Sequence, residues 1–284
     1  MSLALKFFRL KNQFTSFFAP TWTAKKSMNI FLTPRRHQPK VWEIKAEELG
    51  ERININKNIS AIKWNTEQPN PKNKIVLLAH GWESRGTQMY GFVPNLLEQG
   101  YHVVAVDMPA HGHSDGDKSD PVKFADTIML AEKKFGKFDV LIGHSMGAGA
   151  IGMAICFGLL CHKLVLISGP ASIENVLNNF AKLIGLNRKA TDLFLHYIGQ
   201  HVGISPNDMD KKLLNMKSDI PTLVIHDEND LEVPFNETNY TLSIFTNSEL
   251  LATNGLGHRK ILKSDIVLAK VNSFLHDTLI TNCA

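Results

Sequence analysis

Cysteines, long apolar runs and acidic residues near the amino end are scarce in this chain of 284 residues. Three cysteines cannot form a disulfide framework, so we expect a reducing compartment, the cytoplasm. The uncharged stretch 146–161 is sixteen residues long and contains four glycines, whereas a bilayer span needs roughly twenty apolar residues. We therefore interpret this stretch as a core helix. A hydrophobic content of 44% with 20% charged residues is typical of a globular protein.

The first forty residues lack aspartate and glutamate but carry eight lysines or arginines, which leaves 23 basic and 27 acidic side chains in the rest of the chain. The net charge of +4 therefore comes from a basic N-terminal arm, residues 1–45, and the body is slightly acidic. Because basic residues concentrate only there and no nucleic-acid-binding motif is present, we expect no nucleic-acid partner.

The arm contains one apolar pattern with helical spacing, formed by Phe7, Leu10, Phe14, Phe17 and Phe18. Charged residues interrupt it, so it does not resemble the continuous apolar core of a secretory signal. Three interpretations stay open for this one-sided helix. It docks on the body, it rests on anionic lipid as a peripheral membrane contact, or it belongs to a transit peptide.

From about residue 53 onward, short apolar runs alternate with amphipathic segments, which predicts a doubly wound, mostly parallel sheet of the α/β class. The predicted strands are Ile53–Trp64, Ile75–His80, His102–Asp107, Val140–Gly143, Leu164–Ser168, Thr222–His226 and Glu249–Thr253. The predicted helices are Tyr90–Gln99, Pro121–Phe135, Met146–Cys161, Asn236–Phe245 and His258–His276. The connection after Ser168 is much longer than a crossover needs and has helical apolar patterns. We therefore predict a small helical cap, 170–217, inserted into a core of residues 46–169 and 218–284.

The strongest chemical signal is the pentapeptide Gly143-His144-Ser145-Met146-Gly147, which follows an apolar strand and precedes an apolar helix. This context is that of a nucleophile elbow, a tight turn whose flanking positions need residues without bulky side chains. The turn would hold the Ser145 hydroxyl clear of the sheet at a helix N-terminus. We therefore predict that Ser145 is a catalytic nucleophile.

A serine nucleophile needs a base and an acid that orients the base, and the elbow architecture places them later in the chain in the order acid, then histidine. His258 follows the last predicted strand in a glycine-flanked loop, so we predict it as the base. Several carboxylates crowd the preceding loop. Asp230 is the preferred acid because Val233-Pro234 would turn the chain soon after it, and Asp227 is the alternative, or else a turn-forming residue.

The chain resembles the α/β-hydrolase superfamily, in particular its branch of capped esterases, lysophospholipases and serine-aminopeptidase-like enzymes. The resemblance is carried by five motifs in the order of that family, namely Ala79-His80-Gly81-Trp82, residues 107–114, Gly143-His144-Ser145-Met146-Gly147, residues 226–234 and Gly257-His258. In the fourth motif, Asp227 stands where relatives usually have glycine. The resemblance supports Asp230 as the acid.

The resemblance also implies an oxyanion hole formed by the backbone N–H groups of Trp82 and Met146. His80 and Gly81 would shape the first loop, as Gly143, His144 and Gly147 would shape the elbow. The Trp82 side chain would either line the acyl pocket or pack in the core. His111 and His113 have a spacing found in metal sites, but without a further ligand set we interpret them as loop residues and predict no metal.

We therefore expect a serine hydrolase that cleaves a carboxylic ester or related acyl bond of a small-molecule substrate, without a cofactor. Two alternatives stay open. The same triad would serve an acyltransferase or a perhydrolase, and the fold alone would also suit a non-catalytic binding module. The sequence does not indicate an oligomeric state.

Overall fold

The computed structural model describes residues 3–69 and 73–276 of the chain. Eight strands form one sheet, and they are β1 (Glu51–Asn54), β2 (Ser60–Trp64), β3 (Ile75–Ala79), β4 (His102–Val106), β5 (Val140–His144), β6 (Lys163–Ile167), β7 (Thr222–Asp227) and β8 (Ser248–Thr253). The order across the sheet is β1-β2-β4-β3-β5-β6-β7-β8. The strands from β3 to β8 are parallel, and β1 and β2 form an antiparallel hairpin at one edge.

The helices, in chain order, are α1 (Leu3–Phe18), α2 (Pro20–Leu32), α3 (Val41–Glu48), α4 (Val93–Glu98), α5 (Pro121–Phe135), α6 (Met146–Cys156), α7 (Ile173–Ile184), α8 (Arg188–Val202), α9 (Pro206–Met216), α10 (Glu237–Ile244), α11 (Gly257–Lys260) and α12 (Asp265–His276). Two 3₁₀ helices, Gly86–Phe92 and Ile261–Lys263, precede α4 and follow α11. In the described part of the chain, no helix combines the length and the apolar character that crossing a membrane requires.

The core lies on both faces of the sheet, because neighbouring residues of each buried strand point to opposite sides. In β3, Leu77 packs with α5 and α6 on one face, whereas Val76 and Leu78 pack with α4 and α12 on the other. Every residue of β3 is buried, as expected for a parallel strand covered on both faces. The predicted doubly wound, mostly parallel sheet is confirmed.

Three helices, α7 to α9, occupy the long connection between β6 and β7, where the sequence predicts the cap. Each begins at a side-chain cap, Ser172, Asn187 and Ser205, whose oxygen accepts a backbone N–H three residues later. The arm helix α2 packs against α8, and α1 packs against α2 and α7. Arm and cap therefore form one helical layer on the body.

Several element boundaries differ from the prediction. The predicted strand 53–64 is wrong, because a turn divides it into β1 and β2. The side chain of Asn56 closes that turn by accepting the N–H groups of Asn58 and Ile59 at 2.8 Å. The predicted helix 146–161 ends earlier, before Gly158, which has a φ of 103° that a helix cannot continue through. The predicted final helix is interrupted at Ser264, whose ψ of 126° is extended.

Candidate active site

Ser145 lies at the sharp turn between β5 and α6, with φ 54° and ψ −126°. This conformation is strained for a residue with a side chain, and such strain concentrates at functional sites. The two flanking glycines permit it. A Cβ atom on Gly143 would lie 2.7 Å from the Cα of Ala148, and one on Gly147 would lie 2.3 Å from the carbonyl oxygen of Ala79. Neither position can hold a larger residue without moving the backbone.

The loop after β3 closely approaches this serine. A Cβ atom on Gly81 would lie 2.9 Å from the Cβ of Ser145 and 3.4 Å from its Oγ. Among the residues that the structure describes, the Ser145 hydroxyl has no hydrogen-bond partner. The predicted nucleophile therefore makes no hydrogen bond to His258 in the described structure, and it lies beside the loop that carries Trp82.

His258, at the start of α11, is buried, and its Nδ1 donates a 2.7 Å hydrogen bond to Oδ2 of Asp230. The other oxygen of Asp230 accepts the N–H groups of Glu232 at 2.8 Å and Val233 at 2.9 Å. Burial alone would raise the pKa of Asp230, but these hydrogen bonds and the adjacent imidazole lower it below its ordinary value. An ionised Asp230 therefore fixes the tautomer that leaves Nε2 of His258 available as a proton acceptor.

His144 links the predicted base, His258, to the turn that carries Ser145. Its Nε2 donates a 2.8 Å hydrogen bond to the carbonyl oxygen of His258, and the two rings lie 4.7 Å apart between centroids. Burial, with a smaller contribution from His258, lowers the pKa of His144 to about 3, so this ring is neutral. The residue immediately before Ser145 in the chain therefore positions the backbone of His258.

A second buried histidine, His226 in β7, supports the predicted acid, Asp230, and the sequence analysis did not assign it this role. Its Nε2 donates to the carbonyl oxygen of Val233 at 2.9 Å and lies 3.6 Å from Oδ2 of Asp230. Burial lowers the pKa of His226, which favours its neutral form. The loop with Asp230 is therefore held by a side chain from the strand before it.

Asp227, the alternative acid, has different partners. Its Oδ2 accepts the hydroxyl of Thr253 at 2.7 Å and the N–H of Leu256 at 2.9 Å, and its Oδ1 accepts the N–H of Asn229. Burial opposes ionisation, but these bonds lower the pKa of Asp227 below its ordinary value. Asp227 therefore ties the end of β7 to the segment that leads into His258, and it has no bond to that histidine.

The backbone N–H groups of Trp82 and Met146 are both free of hydrogen bonds to the rest of the described chain. Two buried histidines hold the loop around Trp82. His80 donates through Nδ1 to the carbonyl oxygen of Gly81 at 2.7 Å, and His111 accepts the N–H of Glu83 through Nε2 at 3.0 Å. The residues on both sides of Trp82 are thus fixed, which leaves its N–H as an unused donor beside the elbow.

The protonation of these two histidines follows from their partners. Nε2 of His80 accepts the N–H of Met108 at 3.1 Å, and burial lowers its pKa. Burial, followed by the repulsion of His80, lowers the pKa of His111 to about 3, and its Nδ1 bonds to the carbonyl oxygen of Pro109. Both rings are therefore neutral and hold the Trp82 loop through hydrogen bonds to its backbone. The sequence analysis did not assign this role to His111.

The side chain of Trp82 stacks on two phenylalanine rings. The ring centroids of Phe31, in α2, and Phe124, in α5, each lie 6.1 Å from that of Trp82, with interplanar angles of 16° and 24°. The ring of Trp82 therefore packs against both the arm and the core.

The described residues contain no group of three or more histidine, cysteine, aspartate or glutamate side chains that is suited to a metal ion. Both nitrogens of His111 form hydrogen bonds to backbone groups, as described above. Nε2 of His113 lies 3.2 Å from a carboxylate oxygen of Glu47, in α3.

Residues 76–228 match the alpha/beta hydrolase family, and residues 203–282 match the family described as TAP-like protein. An AB hydrolase superfamily protein of Gibberella zeae is 33% identical over 107 residues, which cover 36% of this chain and 37% of that protein. The matched part is thus little more than a third of the length of this curated relative.

Solved structures resemble the fold over most of the chain. Est1E from Butyrivibrio proteoclasticus has a TM-score of 0.62 at 17% identity, covering 81% of this chain and 98% of its own. The esterase Pf2001 of Pyrococcus furiosus has a TM-score of 0.60 at 21% identity, covering 86% and 98% respectively. At these identities the likeness concerns the fold. With the match to residues 76–228, which is more than half of the chain, the protein belongs to the α/β-hydrolase family.

Proposed function

We propose that this protein is a serine hydrolase that cleaves a carboxylic ester, or a related acyl bond, through a Ser145-His258-Asp230 triad. Membership of the α/β-hydrolase family and the esterases among the similar structures support a hydrolase. The observation that carries the finer proposal is the 2.7 Å bond between His258 and Asp230, in a loop that His144 holds against the elbow.

In the proposed reaction, Ser145 attacks the substrate carbonyl while Nε2 of His258 removes the hydroxyl proton. Asp230 stabilises the imidazolium that forms, and His258 then returns the proton to the leaving alcohol. Water, activated by the same histidine, attacks the acyl-enzyme ester and releases the acid. Every step is proton transfer and acyl transfer, so the residues present suffice for it.

The negative charge of the tetrahedral intermediate would be bound by the N–H groups of Trp82 and Met146. A donor already oriented before the reaction needs no reorganisation, and removing one such donor typically costs about 3–4 kcal/mol of transition-state stabilisation. Support for this assignment comes from the absence of competing acceptors for either N–H in the described chain and from the two histidines that brace the Trp82 loop.

For the substrate, we propose an ester with an apolar acyl or aromatic group. The support for an apolar group is the lining of a small cavity where arm, core and cap meet, which includes Phe31, Val122 and Leu177. Its volume is about 30 Å³, so an acyl chain would have to widen it. Phe31 also stacks on Trp82. The ring of Phe31 therefore connects this cavity to the loop that carries the proposed oxyanion donor, the N–H of Trp82. A series of p-nitrophenyl esters of increasing acyl length should show a preference for chains longer than acetate.

We also propose a cytoplasmic location. Cys156 and Cys161 are unpaired, and burial raises the pKa of the Cys161 thiol to about 12. Such thiols are compatible with a reducing compartment.

The decisive experiment is labelling with a fluorophosphonate probe alongside p-nitrophenyl ester turnover. Ser145→Ala should lose both while keeping the melting temperature of the wild type. Ser243→Ala, a matched change on the exposed side of α10, should keep both. A Ser145→Ala variant that is as active as the wild type would refute the triad, and an unreactive wild-type protein would favour a binding module. Product analysis with and without an added alcohol then separates hydrolysis from acyl transfer to that alcohol.

A further inference from the structure

Helix α1 presents its apolar face to solvent. The exposed fractions of six apolar side chains are Leu3 70%, Phe7 64%, Leu10 61%, Phe14 66%, Phe17 75% and Phe18 68%. The buried residues of the same helix are polar, Asn12 and Ser16, at 5% and 1% exposure. A helix that docks on a body for its own stability buries its apolar face. The orientation of α1 is the reverse.

Specific contacts hold α1 in this orientation. The amide of Asn12 donates to the carbonyl oxygen of Ile184 at 2.9 Å, at the end of α7, and the amide of Asn187 donates to the carbonyl oxygen of Ser16 at 3.0 Å. Between them, Gly185 comes so close that a Cβ atom there would lie 3.0 Å from the carbonyl oxygen of Arg9. These contacts fix the polar side on the cap, and the apolar side is therefore held outward.

Helix α2, which packs against α1, also has exposed apolar side chains. Trp22 is 52% exposed and Ile30 is 39% exposed. The ammonium group of Lys26 lies over the Trp22 ring, 5.0 Å from its centroid, which is a cation–π arrangement. We call the exposed apolar residues of α1, with Trp22, the arm face.

The charged residues of the two arm helices all have one sign. Helices α1 and α2 contain no acidic residue, and their five basic residues are Lys6, Arg9, Lys11, Lys25 and Lys26. A second copy of the chain placed on this face by two-fold symmetry would oppose these cations with the same five. An anionic surface would instead attract them, while the aromatic side chains enter an apolar layer.

We propose that the arm face binds the surface of a bilayer that contains anionic lipids, with α1 lying in the plane of the head groups. The apolar residues would enter the acyl boundary and the lysines would contact the lipid phosphates. Because α1 is fixed to the cap and Phe31 of α2 stacks on Trp82, docking would bring the candidate active site close to the membrane surface. Lipid binding is independent of the reaction at Ser145.

The test is co-sedimentation of the full chain with large vesicles, comparing pure phosphatidylcholine with equal parts of phosphatidylcholine and phosphatidylglycerol. The double variant Phe14→Glu/Phe17→Glu removes apolar contact and adds repulsion, so its partitioning onto the anionic vesicles should fall by at least about tenfold. Lys6→Gln/Lys11→Gln should weaken binding at low salt by about fivefold for each lysine removed.

The matched control is Leu160→Glu/Ile266→Glu, because these side chains are 63% and 67% exposed elsewhere on the surface. It should bind as the wild type does, and all variants should keep the wild-type melting temperature because only exposed residues change. Failure of the wild type to bind anionic vesicles, or equal binding by the Phe14→Glu/Phe17→Glu variant, would overturn the proposal. So would a wild-type dimer that the same variant converts to a monomer, since the arm face would then bind a second copy.

Discussion

Replacing Gly81 by alanine should impair the chemistry while leaving the fold intact. The added Cβ would lie 2.9 Å from the Cβ of Ser145, where ordinary contacts are at least half an ångström longer, and 3.3 Å from Nδ1 of His144. Gly81 is not among the residues with positive φ, so alanine meets no backbone strain there. The steric conflict therefore involves only Ser145, the predicted nucleophile, and His144.

Neither partner in this conflict can move freely. The N–H of Ser145 donates to the carbonyl oxygen of Ile167 at 2.9 Å, which ties the elbow to β6. The loop is held on its other side by the hydrogen bonds of His80 and His111. Relieving the clash takes a displacement of about half an ångström, shared between Ser145 and the loop that carries Trp82. A misplacement of about 1 Å at reacting groups costs on the order of 100-fold in rate, so half of it costs about tenfold.

The assay is kcat and KM for a p-nitrophenyl ester, with the rate of fluorophosphonate labelling as a second readout. We expect kcat to fall by about tenfold and KM to change little, because substrate contacts away from the reacting carbonyl are untouched. Gly152→Ala is the matched control. It lies on α6, an added Cβ there meets no atom within 4 Å, and alanine favours a helix over glycine by about 1 kcal/mol. A Gly81→Ala enzyme within twofold of the wild type would refute the placement of this loop against the nucleophile.

Two further predictions concern the acid and the buried histidines. Asp230→Asn should lower kcat by about 10³–10⁴-fold, because the base loses its orienting charge, whereas Asp227→Asn should mainly lower the free energy of unfolding, by about 1–3 kcal/mol. Steady-state kinetics and urea unfolding of both variants check this, and the reverse pattern would make Asp227 the acid. Acidification should also destabilise the fold, since the pKa values of His111 and His144 are about 3 in the folded protein and near 6.5 when unfolded. The unfolded chain binds more protons below pH 6.5, so stability is full above that pH and is lost as the pH falls towards 3. Two such groups remove about 2 kcal/mol between about pH 6.5 and about pH 5.5, and urea unfolding that is unchanged over this interval would contradict it.

The parallel part of the sheet could be predicted because its strands are short runs of apolar residues between amphipathic segments. Such a run has the same appearance whether it is one strand or two. The prediction of a single strand over residues 53–64 is wrong for this reason. The turn there depends on one side chain, Asn56, that accepts two backbone N–H groups. A single asparagine in a polar stretch does not change the hydrophobic pattern, so periodicity could not reveal this turn.

The nucleophile, the base and the preferred acid could be proposed from sequence because each belongs to a local motif at a strand end. The motifs also placed His80 and His144 in the site, but not the backbone groups that these rings contact. The supporting roles of His111 and His226 could not be assigned, because their hydrogen bonds to Glu83 and Val233 depend on how the loops fold. One signal was available. His80, His144 and His226 each lie at or directly after the carboxyl end of a strand, and in a parallel sheet these ends share one edge.

The orientation of α1 shows what hydrophobic periodicity leaves undetermined. The pattern of Phe7, Phe14 and Phe17 correctly predicts a helix with two unlike faces, but it does not state which face the protein uses for packing. Burying large apolar side chains on the cap would gain about 1.5–3 kcal/mol each, and α1 forgoes this gain. The helix is held instead by two hydrogen bonds one turn apart. The side chain of Asn12 donates to the carbonyl oxygen of Ile184, at the end of α7, and the carbonyl oxygen of Ser16 accepts the side chain of Asn187, just before α8. Within the described part of the chain this orientation is unfavourable for the apolar residues, which is the reason for proposing that a lipid surface covers them.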